Sequence, residues 1–267
     1  MNFKYMTIGL TSVALAVIGC TVSEQGGSAS AGDKVYANFP VTLKGYTGSK
    51  STSEAYTGQM ARQVLHDSLK KLAGKGNGKP NPALKAKMNS YYSGKAKGRA
   101  IVAPKSKGKF VIKQTKVDQI SKKKNLSGKT YRGTIAGMPN NMSGPALVKF
   151  WIDKASSAKK GVDLNNGYNY PQLISKFLMG AVFYNQAVDN YLDEKMSAKK
   201  KPNNKPYKKG ARYTGKEHSW DEAFGYFGMP AHGMNLSPKQ LYAIAKRKPV
   251  ALAYADHNGD GKVDLYR

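Results

Sequence analysis

The sequence predicts a mainly α-helical domain with long basic loops. In several segments the apolar residues recur every three or four positions, a spacing that places them on one face of a helix. A proline stands at the start of four of these segments, where it fits the first turn of a helix. Between them lie stretches that are rich in lysine and glycine and have no sustained period. These observations favour packed helices joined by basic loops.

Two helices are predicted in the N-terminal part of the domain. Residues 59–72 carry apolar side chains at helical spacing, and the glycine-rich stretch 74–78 ends this helix. A second helix is predicted over residues 82–93, with Pro82 in its first turn. Residues 94–137 are interpreted as an extended or hairpin-bearing loop because they are dense in lysine and glycine.

The C-terminal part contains the strongest helical signal. A wide apolar stripe, which includes Val188 and either Tyr191 or Leu192, runs along residues 171–195 and is expected to face the core. Ser237 is the expected N-cap of the helix that begins at Pro238. Helices are thus predicted over 145–158, 171–195, 217–227 and 238–247, with a polar connection over 199–210 and a last helical turn within 249–255.

The N-terminus has the composition of an export signal. Lys4 supplies a positive charge, and residues 6–18 form an apolar run that is too short for a permanent membrane helix but typical of a cleavable signal. Gly19-Cys20 follows directly, as in the bacterial lipobox, where the cysteine is acylated and becomes the new N-terminus. The sequence therefore predicts a signal peptide over 1–19, palmitate on Cys20, a lipidated tether over 20–34 and a folded domain over 35–267.

The expected anchor also predicts the compartment. Cys20 is the only cysteine, so an internal disulfide is excluded, and two or three acyl chains on it would bind a membrane stably. Thr21 is not the aspartate that is associated with inner-membrane retention in some bacteria. We therefore expect the cell envelope, on the periplasmic or surface side of the outer membrane. The alternative is an ordinary secretory peptide with an accidental cysteine.

The charge of the chain is strongly positive, with 44 Lys and Arg against 16 Asp and Glu. Residues 70–132 contain nineteen of these cations and one acid, Asp118. Such a surface attracts polyanions in a salt-sensitive way. Because the signal predicts export, we expect anionic glycan, lipopolysaccharide or anionic lipid as the partner and not nucleic acid. The alternative is a solvated lysine-rich surface without a specific partner.

A candidate metal site lies in the segment 217–228 (EHSWDEAFGYFG). On a helix, an imidazole and a carboxylate three or four residues away converge on one point, which is an arrangement that binds divalent metals. His218, Asp221 and Glu222 are therefore the predicted ligands of iron or zinc. In the alternative interpretation the acids cap the helix or pair with basic residues, and the aromatic residues Trp220, Phe224, Tyr226 and Phe227 form a core.

The C-terminal segment 256–267 resembles the start of an EF-hand calcium loop. Gly261 stands at the sharp turn of this motif, but Arg267 occupies the twelfth position, where the motif has a bidentate Glu. Binding should therefore be weak, of roughly millimolar affinity as in extracellular modules. The alternative is an acidic turn without an ion. The predicted ligands are Asp256, Asn258, Asp260, the carbonyl of Lys262, and Asp264.

Four segments occur in an order that resembles a known family. They are Tyr56–Arg62 (YTGQMAR), Lys176–Ala181 (KFLMGA), the segment 217–228 and the loop from Asp256. Together they resemble the imelysin-like bacterial lipoproteins that contain domain of unknown function 4856, over residues 36–267. The resemblance implies a helical-bundle fold and an envelope location, and the family has no established activity. Its members tend to continue past the calcium-like loop, so we expect this chain to be truncated after Arg267.

Imelysin relatives carry a G-x-H-x-x-E motif that is linked to iron uptake and was once assigned to a peptidase. Here two residues separate Gly215 from His218, and the acid three positions later is Asp221 instead of Glu. No nucleophile motif is present, since there is no G-x-S-x-G and the only cysteine is expected to be acylated. The leading hypothesis is a non-enzymatic ligand- or metal-binding lipoprotein linked to iron acquisition. The alternatives are a zinc-dependent hydrolase with Glu222 as general base, and a basic surface protein that binds anionic glycans.

Overall fold

The computed structural model describes residues 39–256 and 258–265. The predicted signal peptide 1–19, Cys20 and the tether 20–34 lie outside the described residues, as do His257, Tyr266 and Arg267. Within the described part the chain forms seven α-helices and one sheet of two short strands. The prediction of a mainly α-helical domain is therefore confirmed.

The helices begin and end close to the predicted positions. The α-helices are α1 (Thr57–Ala73), α2 (Pro82–Tyr92), α3 (Gly144–Ser157), α4 (Tyr170–Leu178), α5 (Gly215–Phe227), α6 (Pro238–Ala245) and α7 (Leu252–Ala255). Strands β1 (Val162–Asp163) and β2 (Tyr168–Asn169) pair antiparallel, with Val162 opposite Asn169. Short 3-10 turns fill many of the connections. No helix in the described ranges has both the length and the apolar composition needed to cross a membrane.

The helix predicted over residues 171–195 differs from the observed structure. Residues 171–195 were expected to form a single α-helix, but the α-helical winding ends at Leu178 and a π-helical segment, Met179–Lys195, continues from there. The wider winding is seen at its end, where the amide of Met196 donates to the carbonyl of Tyr191, five residues earlier, at 3.0 Å.

The wider winding changes which side chains are buried. Buried positions now recur five residues apart, as at Ala181, Gln186 and Tyr191, because each π turn takes up more residues than an α turn. Of the two residues that could complete the predicted apolar stripe, Tyr191 is 2% exposed and Leu192 is 39% exposed. The prediction therefore holds for Tyr191, and Leu192 lies outside the core.

The core lies between α1 and its neighbours. α1 packs against α2, α4 and α5, α3 packs against α2 and α4, and α5 lies along the π-helical segment. Leu65 and Leu69 of α1, Ile152 of α3 and Ile174 of α4 are fully buried there. A second, smaller core holds the C-terminal part of the chain and contains Phe110, Ile112, Ala243, Ala251, Ala255 and Val263.

The basic region 94–137 is irregular, as predicted, but it is firmly attached to the helices. Isolated bridges and 3-10 turns replace regular structure, and Ile101, Val117 and Leu126 are buried in the main core. The guanidinium of Arg99 is also buried and donates to the carbonyl oxygens of Ser90, Gly94 and Lys124, at 2.6–3.1 Å. Buried apolar side chains and one anchored cation thus hold a loop that has no hydrophobic period.

Candidate functional site

Helix α5 positions the candidate site, and its two ends are well defined. Thr214 caps the first turn, since its hydroxyl accepts from the amide of Glu217 at 3.2 Å while the Glu217 carboxylate accepts from the amide of Thr214 at 2.6 Å. Thr42 also donates to Glu217, at 2.6 Å. Gly228 ends the helix with a φ of 78°, a left-handed conformation that favours glycine. Glu217 therefore serves the helix end.

His218 lies between two aromatic side chains from the preceding connection. The ring of Tyr213 stacks on it at 4.7 Å and 11°, and the ring of Tyr207 lies at 4.6 Å on a tilt. The Nε2 atom of His218 is 3.7 Å from the Glu222 carboxylate. Its Nδ1 atom is buried and has no hydrogen-bond partner among the described residues. One ring nitrogen thus faces an acid, and the other is buried without a hydrogen-bond partner among the described residues.

The two predicted carboxylate ligands, Asp221 and Glu222, accept hydrogen bonds from different residues. Asp221 is buried and accepts from the amide of Ala55 at 2.7 Å, so it attaches the segment before α1 to α5. Glu222 lies one helical turn after His218 and accepts from the amide group of Gln59 at 2.7 Å. The structure therefore brings His218 and Glu222 together and engages Asp221 elsewhere.

Glu222 lies among four cations. Arg62 of α1, Lys195 at the end of the π-helical segment, and Lys124 and Lys129 of the basic loop all influence this neighbourhood electrostatically. None of the four is within ion-pairing distance of the Glu222 carboxylate in the described part of the chain. Burial lowers the pKa of Lys129, the nearby charge of Arg62 lowers it further, and Glu222 opposes both effects.

The polar groups around Glu222 include two tyrosines whose ring centroids are 5.9 Å apart. Burial together with the nearby charge of Glu222 raises the pKa of Tyr191 far above the ordinary value. The Tyr226 hydroxyl has no hydrogen-bond partner among the described residues, although its side chain is only 1% exposed. Burial raises the pKa of Tyr226 as well, so both phenols stay neutral at physiological pH.

The aromatic residues of α5 do not form one core. Tyr226 is buried, and Phe224 packs edge-on against Tyr56 with centroids 5.4 Å apart. Trp220 is 49% exposed and Phe227 is 70% exposed. These two side chains line an open apolar groove between α5 and the π-helical segment. The alternative interpretation, an aromatic core, therefore holds for Tyr226 but was wrong for Trp220 and Phe227.

A metal site at His218 would have few protein ligands. Within residues 39–256 and 258–265, no group of three or more His, Cys, Asp or Glu side chains converges. The pair His218 and Glu222 could supply one nitrogen and one oxygen, whereas Asp221 is already held by the Ala55 amide. Metal binding by His218, Asp221 and Glu222 remains a prediction.

The calcium-like loop has its oxygens turned inward to its own backbone. Asp256 accepts from the amide of Gly261 at 2.6 Å, and Asp260 accepts from the amide of Lys262 at 3.0 Å. Asn258 accepts from the amide of Asp260 at 3.3 Å. The other oxygen of Asp260 accepts from the ammonium of Lys113 at 2.7 Å, and this hydrogen bond lowers the pKa of Asp260. Backbone amides and the ammonium of Lys113 therefore already engage the side-chain oxygens of this turn.

The end of the same loop is attached to the basic region. Val263 pairs with Ile112 in a parallel bridge, and its amide donates to the carbonyl of Val111 at 2.8 Å. Asp264 is buried and accepts from the side chain of Gln114 at 2.6 Å. The predicted ligand Asp264 thus serves a contact with the loop 94–137, and calcium binding by this segment remains a prediction.

Sequence reasoning missed several residues of the site. The pattern Thr214-x-x-Glu217 is a capping-box signature, and it would have placed the start of α5 two residues earlier. No local pattern identifies Tyr207 and Tyr213 as neighbours of His218, or Lys124 and Lys129 as neighbours of Glu222. Tyr207 and Tyr213 belong to an irregular connection without a period, and Lys124 and Lys129 are far from Glu222 in the sequence, so only the tertiary structure reveals these contacts.

A comparison with protein-family models identifies part of the chain. Residues 153–242, about a third of the sequence, match the model described as Domain of unknown function (DUF4856). The matched region runs from the end of α3 to α6 and contains Tyr191, Lys195, His218 and Glu222. The link to imelysin remains a prediction. Searches of curated proteins and of solved structures gave no match. The similarity of this chain to the Domain of unknown function (DUF4856) family thus extends over residues 153–242.

Proposed function

We propose that this protein is a non-enzymatic ligand-binding lipoprotein of the bacterial cell envelope. The observation that carries the proposal is the polar cluster around His218 and Glu222. It combines a buried ring nitrogen and a buried tyrosine hydroxyl that have no partner among the described residues. Buried polar groups are nearly always hydrogen-bonded to protein, water or a bound molecule, and these two groups support a ligand that adds the missing contacts.

The envelope part of the proposal depends on Cys20 and is tested in cells. Wild-type protein should incorporate labelled palmitate and fractionate with membranes, whereas Cys20→Ser should do neither. A matched control is Thr21→Ser, which changes the neighbouring residue and leaves the thiol in place. Equal labelling of Cys20→Ser and wild type, or membrane fractionation of the unlabelled variant, would contradict the lipid anchor.

Metal binding at His218 is the second candidate, supported by the 3.7 Å approach of Glu222 to its ring nitrogen. The link to iron acquisition rests on the imelysin resemblance alone. Calorimetric titration with ferrous and zinc ions compares wild type with His218→Ala and with His66→Ala, a core histidine that faces Ser175. Heat that is lost only in His218→Ala supports this candidate. No heat in the wild type rejects it.

The two alternatives have weaker support. A hydrolytic zinc site needs three protein ligands and an open position, and the described residues around His218 offer one imidazole and one carboxylate. The glycan-binding alternative is supported by the exposed lysines of the region 94–137. Direct measurements of zinc binding and of glycan binding distinguish these two alternatives from the leading proposal.

A further inference from the structure

The polar cluster around Glu222 carries a surplus of positive charge. Arg62, Lys124, Lys129 and Lys195 are four cations, and Glu222 is the carboxylate among them. Lys124, Lys129 and Lys195 are half-buried, whereas most other lysines in the described chain are exposed. Half-buried cations that repel one another at low effective dielectric are costly unless an anion lies between them.

Two of the lysines lie over the ring of the same tyrosine. The Lys195 ammonium is 4.0 Å and the Lys129 ammonium 5.9 Å from the centre of the Tyr191 ring. The ammonium groups of Lys124, Lys129 and Lys195 donate no hydrogen bond to another described residue. Arg62, in contrast, is fixed by the carbonyl oxygens of Asn125 and Gly58, at 2.9 and 3.0 Å. Arg62 is therefore a fixed cation, whereas the three lysine ammonium groups have no hydrogen-bond partner among the described residues.

Tyr226 adds an uncharged hydrogen-bond donor beside Arg62. The guanidinium of Arg62 lies 5.9 Å over the ring of Tyr226, whose fully buried hydroxyl has no partner among the described residues. A phenol that stays neutral can donate a hydrogen bond to an anion. Tyr226 thus adds a buried, neutral donor to the charged ones.

We propose that Arg62, Lys124, Lys129, Lys195 and Tyr226 form a binding site for a phosphate group. A doubly charged tetrahedral oxyanion matches several neighbouring cations better than a singly charged carboxylate, and charge-assisted hydrogen bonds to phosphate are strong. The phosphate belongs either to a free ion or small molecule or to a lipid head group. This inference rests on the proposed ligand-binding function and names the chemistry of the ligand.

Calorimetric titration of the purified full-length protein in detergent tests the site, with inorganic phosphate and soluble short-chain phosphatidic acid as separate probes. The double variant Lys129→Gln/Lys195→Gln should weaken binding about tenfold, because two charge-assisted contacts are lost. Lys246→Gln/Lys248→Gln is the matched control. It removes two exposed lysines that lie 5.4 and 5.3 Å over the ring of Tyr242, and it should change affinity by about twofold or less.

Two further variants separate binding from folding. Lys129→Arg keeps the charge and should retain binding, whereas Tyr226→Phe should lose about threefold because one neutral hydrogen bond is removed. Binding of both probes, or of the lipid alone, supports the site and identifies the source of the phosphate. Binding of neither probe, or equal loss in the two double variants, would overturn it. The palmitate labelling of Cys20 tests the lipid anchor independently, so a failure of the anchor is distinguishable from a failure of the phosphate site.

Discussion

Tyr191 and Tyr226 are neighbours in one cluster, yet the surroundings of their hydroxyls differ. Burial and the nearby charge of Glu222 raise the pKa of Tyr191, whereas the buried hydroxyl of Tyr226 has no hydrogen-bond partner in the described part of the chain. In phosphate-free buffer, Tyr191→Phe should lower the free energy of unfolding by about 1 kcal/mol, because a polar hydroxyl beside the Glu222 carboxylate is removed. Tyr226→Phe should change it by less than about 0.5 kcal/mol or raise it, since no bond is broken. Urea denaturation of both variants measures the difference, and a larger loss for Tyr226→Phe would contradict it.

His218 should make stability depend on pH near neutrality. Burial holds the pKa of His218 below its ordinary value of 6.5, and Lys195, Lys208 and Lys201 lower it further against the opposing charge of Glu222. The unfolded chain therefore binds this proton at a higher pH than the folded chain does. The contribution to stability is complete above pH 6.5 and is lost as the pH falls from there towards the folded pKa.

The comparison of wild type with His218→Gln isolates this effect. Urea denaturation at about pH 7.5 and about pH 5.5 should show a smaller loss of unfolding free energy on acidification in the variant than in the wild type. His66→Gln provides the control for a second buried histidine that contacts Ser175. Identical pH dependence of wild type and His218→Gln would show that His218 titrates alike in the folded and unfolded chains.

At the scale of the element, α5 depends on its capping box. Thr214→Ala removes the acceptor for the Glu217 amide and should cost about 1 kcal/mol of unfolding free energy. Thr214→Ser keeps the hydroxyl and should retain most of that stability. Thermal and urea denaturation of the two variants compare them directly. If Thr214→Ser lost as much as Thr214→Ala, the buried methyl group and not the cap would be the stabilising feature.

In the calcium-like loop, the ammonium of Lys113 is expected to compete with calcium for Asp260. Lys113 donates to Asp260 and adds positive charge at the place where calcium would bind. Wild type should bind calcium weakly, with a dissociation constant of roughly millimolar order. Lys113→Gln should bind it more tightly, because repulsion is removed, and Asp256→Asn more weakly. Calorimetry with calcium measures all three. Unchanged affinity in Lys113→Gln would mean that this lysine does not compete for the site.

Elements were predictable where their signals are local. The bounds of α1, α2 and α3 follow from apolar spacing, a glycine-rich stop and a proline start, which act within one or two turns. The change to π winding after Leu178 was not predictable, because the apolar residues of 171–195 also fit an α-helical stripe. Packing of this segment along α5 accompanies the wider register and buries Tyr191 instead of Leu192.

For the whole molecule, the net charge of +28 should govern non-specific binding. The protein should be retained on heparin at low salt and should elute at moderate salt, because exposed charges are screened beyond a Debye length of about 8 Å at physiological ionic strength. Lys246→Gln/Lys248→Gln should elute slightly earlier, as any loss of two exposed charges would cause. Retention that persists at high salt would indicate a specific glycan site instead of general electrostatics.

The sequence by itself determined the helical class, the ends of most helices and the excess of cations, because periodicity, capping residues and composition act locally. It also placed His218 and Glu222 on one face of a helix. Only the tertiary structure decided that Asp221 faces Ala55, that Trp220 is half exposed, and that the cations surround Glu222. Arg62 and Lys129 come from segments far from α5 in the chain, and their approach depends on how whole elements pack, which no local pattern encodes.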